Sequence, residues 1–340
     1  MVVDMNNSKT IPAISIVIPT YNLENYIDQT LNSILNQSFK DYEVIVIDDC
    51  STDKTLDVAE KFLPKFDGKL QIHQLKKNSN DDGATPRNFG LKYSRGEYVF
   101  FLDGDDLITS DALEKFHNAA EKFQSDVVSV EKFYLFKDRG VIPAQNELVL
   151  SNQIRNAVTA PTIEENDLLT RVNLYLNGTV LDYCWSKLIR RDFLIEHRIK
   201  FSSTPIRHDS IFAFHCYCLS KYVRIPDVLN LYRQVRDGSA TDTVDSISDN
   251  KIRKYINSTI IGAKEFYNSM QTIDELKNNS TIQYAVIRRY IKVNLDWLMV
   301  RVYRQVPAGK IFQLFIEEFL KDPAGYTPAA AAIFNMANGK

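Results

Sequence analysis

The chain has 340 residues, 44% hydrophobic and 25% charged, with a formal net charge of −2. That length suits about two domains, and the balance excludes a disordered chain, a collagen-like fibre and a disulfide-stapled miniprotein. No global basic field points to nucleic acid, so no nucleic-acid partner is expected.

Ile14 to Ile18 is a β-branched run ending at Pro19 and reads as a buried strand. Asn22 can cap a helix whose apolar face takes Leu23, Ile27, Leu31, Ile34 and Leu35, with Glu24 in its first turn. Tyr42 to Ile47 is a second apolar run, closed by Asp48-Asp49. Ser51, Thr52 and Asp53 offer caps for a helix carrying Leu56, Ala59, Phe62, Leu63 and Phe66. Leu70 to Leu75 alternates like a half-buried strand, and Gly83-Ala84-Thr85-Pro86 opens another helix. Tyr98 to Leu102 runs straight into Asp103-Gly104-Asp105-Asp106, and Ser110 precedes a helix with Leu113, Phe116, Ala120 and Phe123 on one face. Repeated β-α units with continuous apolar strands predict an α/β fold, with a mainly parallel sheet covered by helices on both faces.

Beyond about residue 136 the pattern loosens. A helix is expected from Glu164 to Leu176, a strand-to-helix segment over Tyr183 to Arg191, and a buried helix from Ser210 to Lys221. Trp185 and Lys187 read either as a core Trp with a surface Lys or as neighbours of a site. Cys216 and Cys218 read as core packing. Residues 238–250 are small and polar and make the best linker, after which the chain reads all-helical to about residue 320. The expected division is therefore 1–240 and a helical region 241–340. Within that region Ile287, Tyr290, Ile291, Leu295, Leu298 and Val302 accompany Arg288, Arg289, Lys292, Arg301 and Arg304. Such a basic amphipathic helix fits either an anionic membrane surface or packing on neighbouring helices or a second copy.

Four scattered cysteines without a CxxC pair suit a reducing compartment. The first ten residues lack a signal-peptide pattern, and no apolar run reaches about 18 residues. A cytoplasmic protein is expected, at most peripheral at the inner face of a cell membrane.

In an open parallel sheet, ligands bind beyond the carboxyl ends of the strands. Four polar clusters fall there: Pro19-Thr20-Tyr21-Asn22, Asp48-Asp49, Asn78 through Arg87, and Asp103-Gly104-Asp105-Asp106. None is a phosphate-cradling glycine loop. Crowded carboxylates hold a hard cation or bond to hydroxyls. A diphosphate would join such a site through a bridging Mg²⁺ or Mn²⁺, which neutralises charge as the diphosphate leaves. A nucleotide with a diphosphate leaving group fits this chemistry.

The stretches ISIVIPTYN (14–22), EVIVIDDCSTDKT (43–55), TPRNFGLKYSRGEYVFFLDGDDL (85–107) and RHDSIFAF (207–214) resemble, in order and spacing, the inverting glycosyltransferases of family 2, with the GT-A fold. The resemblance covers roughly residues 12–235. Its nucleotide-binding stretch is similar to bacterial wall-teichoic-acid N-acetylglucosaminyltransferases. It implies residues 1–110 for nucleotide-sugar binding, and 111–240 for the acceptor and the catalytic base. It also implies a UDP-sugar donor carrying GlcNAc, Glc or Gal. The implied acceptor is a cell-surface glycan, free or lipid-linked, in a capsule, exopolysaccharide or teichoic acid.

By the same resemblance Pro19, Thr20 and Tyr21 flank the nucleotide, and Asp49 holds its uracil or ribose. Asn78 and Arg87 contact it too. In the DxD motif Asp103-Gly104-Asp105, Asp103 faces the ribose and Asp105 ligates the metal. Asp209 maps to the base, with His208 where the family usually has Glu. A later Tyr-Arg pattern appears as Tyr232-Arg233, followed by Ser239-Ala240-Thr241, with Arg236 where His is common. Bland readings stand beside these. Asp103 and Asp105 suit a turn, and Asp209 suits a helix N-cap. A nucleotidyltransferase would need a basic phosphate-activating loop that PTYN does not supply. His208 favours a non-catalytic nucleotide-sugar-binding subunit, whereas the joint presence of Asp49, Asp103, Asp105 and Asp209 opposes it.

Overall fold

The computed structural model describes residues 11–136, 148–151, 157–202, 204, 207–233, 249–302 and 306–320. The first half alternates as its periodicity predicts: β1 (Ile14–Thr20), α1 (Ile27–Leu35), β2 (Tyr42–Asp48), α2 (Thr55–Glu60), β3 (Leu70–Gln74), α3 (Ala84–Tyr93), β4 (Tyr98–Phe101), β5 (Leu107–Ile108) and α4 (Ala112–Phe123). Then come β6 (Val127–Phe136), β7 (Val149–Leu150), β8 (Thr162–Ile163), α5 (Leu168–Leu176), β9 (Lys187–Arg190), α6 (Arg191–Glu196), α7 (His208–Leu219) and β10 (Tyr222–Arg233). Helices α8 (Asp249–Met270), α9 (Asp274–Lys277), α10 (Ser280–Val302) and α11 (Ala308–Phe319) follow.

One sheet runs in the order β3-β2-β1-β4-β9-β6-β10-β5, with β7 on β6 and β8 on β10. Strands β3, β2, β1 and β4 pair in parallel. Strand β9 is antiparallel to both β4 and β6, so β6 and its parallel partner β10 point the same way as β1. The long strands therefore bring their carboxyl ends to one edge.

Alternate residues of these strands feed two cores. Ile14, Ile16, Ile18, Val44, Val46 and Phe100 pack with Leu31 of α1 and Phe116 of α4. Val17, Ile45, Ile47, Val99 and Phe101 lie on the opposite face, in a cluster that includes Phe212 of α7, Ile256 of α8, Ile287 of α10 and Leu314 of α11. Burial on both faces explains the unbroken apolar runs. The apolar stripe of α10 points inward too: Ile287, Tyr290 and Ile291 are buried. Arg289 pairs with Asp182 at 3.1 Å over the Tyr175 ring. Among the described residues no helix is long and apolar enough to cross a membrane.

Several local expectations change. Helix α1 starts at Ile27, so Asn22 does not cap it and Glu24 does not sit in its first turn. Asn22 has φ +52°, and its side-chain carbonyl accepts from the Thr52 N–H at 2.9 Å. Leu23 N–H donates to Thr55 Oγ1, Glu24 N–H to Asp53, and Lys54 N–H back to Glu24. These bonds clasp the loops that follow β1 and β2. Leu63 and Phe66 fall in a short 3₁₀ turn outside α2.

Helix α5 starts at Leu168, capped by Asp167 on the Thr170 N–H, so Glu164 lies before it. Glu164 instead pairs with the buried Arg224, which also binds Glu131. Lys187 is fully buried rather than on the surface. Its Nζ donates to the carbonyls of Leu181 and Tyr183, each at 2.8 Å, and to Ser186 Oγ. Cys216 and Cys218 are buried, as their core reading expected. The linker at 238–250, Ser239, Ala240, Thr241 and Arg236 lie almost wholly outside the described residues.

Candidate active site

The carboxyl ends of β1, β2, β3 and β4 gather four loops. Thr20, the last residue of β1, is buried, and its carbonyl accepts from the Asp49 N–H at 2.8 Å. Asp49 in turn takes the Ser79 N–H at 2.9 Å and the Ser79 hydroxyl at 2.7 Å, and its carbonyl takes Asn78 Nδ2 at 3.0 Å. Burial nevertheless raises the Asp49 carboxyl above its ordinary pKa. Asp81 accepts from the Ser79 hydroxyl and from Thr85, fastening this loop to the start of α3. Tyr21 stands 43% exposed beside these groups in the chain.

The Asp103-Gly104-Asp105 loop lies against β1. A Cβ on Gly104 would stand 2.9 Å from Thr20 Cγ2, 2.7 Å from Leu23 Cδ1 and 3.0 Å from the Pro19 carbonyl. Only glycine lets the loop approach so closely. Gly104→Ala should therefore push Asp103 and Asp105 outward, lowering stability by about 1–3 kcal/mol in denaturant unfolding. Unchanged stability would show that the loop can give. Thr30 Oγ1 binds the carbonyls of Gly104 and Asp106 from α1. Arg233, at the end of β10, donates its N–H to Asp106 Oδ1, its Nε to the Asp105 carbonyl and Nη2 to Gln29. Burial, with Asp105 and Asp103 nearby, pushes the Asp106 carboxyl well up.

Arg87 joins the two sides of the site. It is 5% exposed and pairs with Asp103 at 2.5 Å. Its Nη1 donates to the Asp82 carbonyl at 3.2 Å and lies 3.4 Å from His208 Nε2. His208 Nδ1 is 2.9 Å from Asp209 Oδ1, and Asp209 keeps 19% of its side chain exposed. Burial alone would raise the Asp209 carboxyl. The cationic Arg87 and His208 outweigh it and hold the group well below the usual carboxylate range. The Cys184 thiol beside it is pushed up by burial and by Asp209.

Sequence reasoning thus placed the principal carboxylates correctly at the strand ends, and the fold gathers them. It did not assign roles to Ser79, Asp81, Asp106 or Cys184, or link Arg233 to the acidic loop. The run NDDG and the Asp that directly follows DxD were the available signals. Trp185 and Lys187 lie beside Cys184 in the chain, and both are buried. Burial lowers Lys187 to about 8, against an ordinary value near 10.5. Between those values the unfolded chain binds more protons than the folded one, so this residue makes stability rise with pH over that window. Lys187→Met should remove that slope, checked by denaturant unfolding from pH 7.5 to 10.

Among the described residues no three His, Cys, Asp or Glu side chains converge as a cation cage. Asp105, half-buried at the loop, supplies one hard carboxylate, and Mg²⁺ or Mn²⁺ commonly takes one or two carboxylates plus substrate phosphates. The donor set fits a metal held jointly with a diphosphate.

The glycosyl transferase family 2 model matches residues 15–199. The chain is 32% identical over 229 residues to the poly(ribitol-phosphate) beta-glucosyltransferase of Bacillus spizizenii, covering 66% of this chain and 33% of that protein. It is also 32% identical over 229 residues to the poly(ribitol-phosphate) beta-N-acetylglucosaminyltransferase TarP of Staphylococcus aureus, covering 66% and 63%. The chain therefore spans less than two thirds of these relatives. The crystal structure of S. aureus TarS 1–349 in complex with UDP-GlcNAc superposes with a TM-score of 0.63 at 24% identity, covering 90% of this chain and 79% of that one.

Proposed function

The chain belongs to glycosyltransferase family 2, and from that membership we propose that it is an inverting transferase. It would move a hexosyl group from a UDP-sugar to a hydroxyl of a bacterial cell-surface glycan. The observation that carries this reading is the approach of Asp103-Gly104-Asp105 to Asp209 across the buried cation Arg87. The relatives' names support GlcNAc or Glc as the sugar and a poly(ribitol-phosphate)-type acceptor.

Pro19, Thr20 and Tyr21 would flank the nucleotide, with Asp49 and Asn78 at its uracil or ribose and Asp103 facing the ribose. Asp105 would hold the Mg²⁺ or Mn²⁺. When bound, the metal stabilises negative charge on the departing diphosphate. Asp209 would take the proton from the acceptor hydroxyl as its oxygen bonds to the anomeric carbon and the bond to UDP breaks. One base and one displacement predict inversion at that carbon.

A second reading, a nucleotide-sugar-binding subunit without turnover, draws on the strong acidity that Arg87 and His208 impose on Asp209. UDP release from a panel of UDP-sugars with Mn²⁺ separates the two. Turnover of one donor, lost in Asp105→Asn, supports the transferase. UDP binding without turnover, with a glycan acceptor supplied, supports the subunit. Retention of the donor's anomeric configuration in the product would overturn the inverting mechanism.

A further inference from the structure

We infer that His208 is a positioning residue for Asp209: its buried imidazole links the carboxylate to the loop before α3, and its charge tunes how strongly Asp209 attracts a proton. The inference rests on the reading of Asp209 as the base.

His208 opens α7 and is 2% exposed. Its Nδ1 faces Asp209 Oδ1 at 2.9 Å, and its Nε2 faces the Asp82 carbonyl at 3.1 Å. Nδ1 thus lies within ion-pair distance of a carboxylate, and Nε2 faces both the Asp82 carbonyl and, at 3.4 Å, the donor Arg87 Nη1. Phe201 closes one side, its ring edge-on at a centroid distance of 5.4 Å. The charged groups around the ring are few. Arg87 on α3 opposes its protonation, while Asp82 from the preceding loop and Asp209 from its own helix favour it. Arg207 precedes it in the chain, Asp103 lies behind Arg87, and Cys184 sits against Asp209. Burial works against the charged ring, but the carboxylates outweigh it and His208 titrates above an ordinary histidine.

The sign of this arrangement matters for rate. While His208 is charged, its field makes Asp209 a weaker proton acceptor. As pH rises through the His208 midpoint that field is withdrawn, and Asp209 becomes the stronger base that proton abstraction needs. A carboxylate at 208, as in the family pattern, would do the opposite once ionised.

The first test is imidazole NMR on the full chain with labelled histidine, of which it has five, the His208 signal being identified by its loss in His208→Gln. In the wild type this signal should titrate above about pH 6.5. In Asp209→Asn its midpoint should fall, because the carboxylate that most favours the charged ring is gone. An unmoved midpoint overturns the inference. If His208→Gln does not fold, the ring contact with Phe201 identifies the signal and the Asp209→Asn comparison still decides. In the second test, turnover of the wild type should climb severalfold through the His208 midpoint. His208→Gln should keep its UDP affinity and lose that climb. The same climb in both proteins overturns the inference. Absence of turnover with every UDP-sugar would instead defeat the transferase reading, and the NMR titration still judges the coupling by itself.

Discussion

Asp209→Asn should lower turnover by about 10²–10⁴-fold, the usual contribution of a general base, while UDP affinity changes little. Asn keeps the shape of the side chain and its neighbours but cannot accept the acceptor's proton. UDP affinity should persist because the proposed nucleotide contacts come from the ends of β1 to β4 and the loops that follow them, not from α7. The variant also relieves an excess of negative charge, so Arg87 and His208 must share Asp103 and Asp82 alone. Stability should therefore move only modestly. UDP release with donor and acceptor present, set beside a UDP titration, checks both halves. Turnover within fivefold of the wild type would remove Asp209 from the mechanism.

The largest effect on the folded state should come from Arg87→Met. Removing one member of a buried ion pair leaves its partner charged and uncompensated, at a typical cost of about 3–5 kcal/mol. Here Asp103 loses its only described ion-pair cation, and Asp209 loses the stronger of its two cationic neighbours. Both carboxylates then gain protons more readily. The deficit relative to wild type should shrink as pH falls and those groups become neutral. Arg87→Lys keeps the charge but not the planar fork that reaches Asp103 and the Asp82 carbonyl together, and it should recover part of the stability. Denaturant unfolding at pH 7.5 and pH 5 measures all three proteins. A deficit that is equal at both pH values would mean that Arg87 acts through packing alone.

What the chain reveals before folding follows from how each element earns its burial. Strands β1, β2 and β4 lie between two helical layers, so their apolar runs are continuous and readable. Strands β6 and β10 are just as central, yet they carry Glu131 and Arg224, which pair with each other, Arg224 also pairing with Glu164. A charged residue in a strand looks like an exposed one until its partner, here 93 positions away, is known. The turn at Asn22 shows a similar limit. A cap is a local hypothesis, and the clasp that replaced it pairs residues some 30 positions apart.

The site divides along the same line. Strand-end carboxylates were legible because strand ends are where ligands bind, and the family resemblance gave them order. Arg87 was legible as a residue but not as a bridge, because His208 is 121 positions away. Lys187 defeated its surface reading because three acceptors in the Leu181–Ser186 turn satisfy a buried ammonium.

The core that joins α7 to the last four helices has a practical corollary for protein engineering. The polar stretch at 238–250 invites a cut, yet Ile252, Ile256, Phe266, Ile287 and Leu314 fill the same cluster as Phe212 and Val17. A chimera designed to swap acceptor preference between relatives should therefore place its seam after α11. A seam at 240 would set the apolar surface behind the helix that carries Asp209 against another protein's helices, and the mismatched hybrid should aggregate before its specificity could be read.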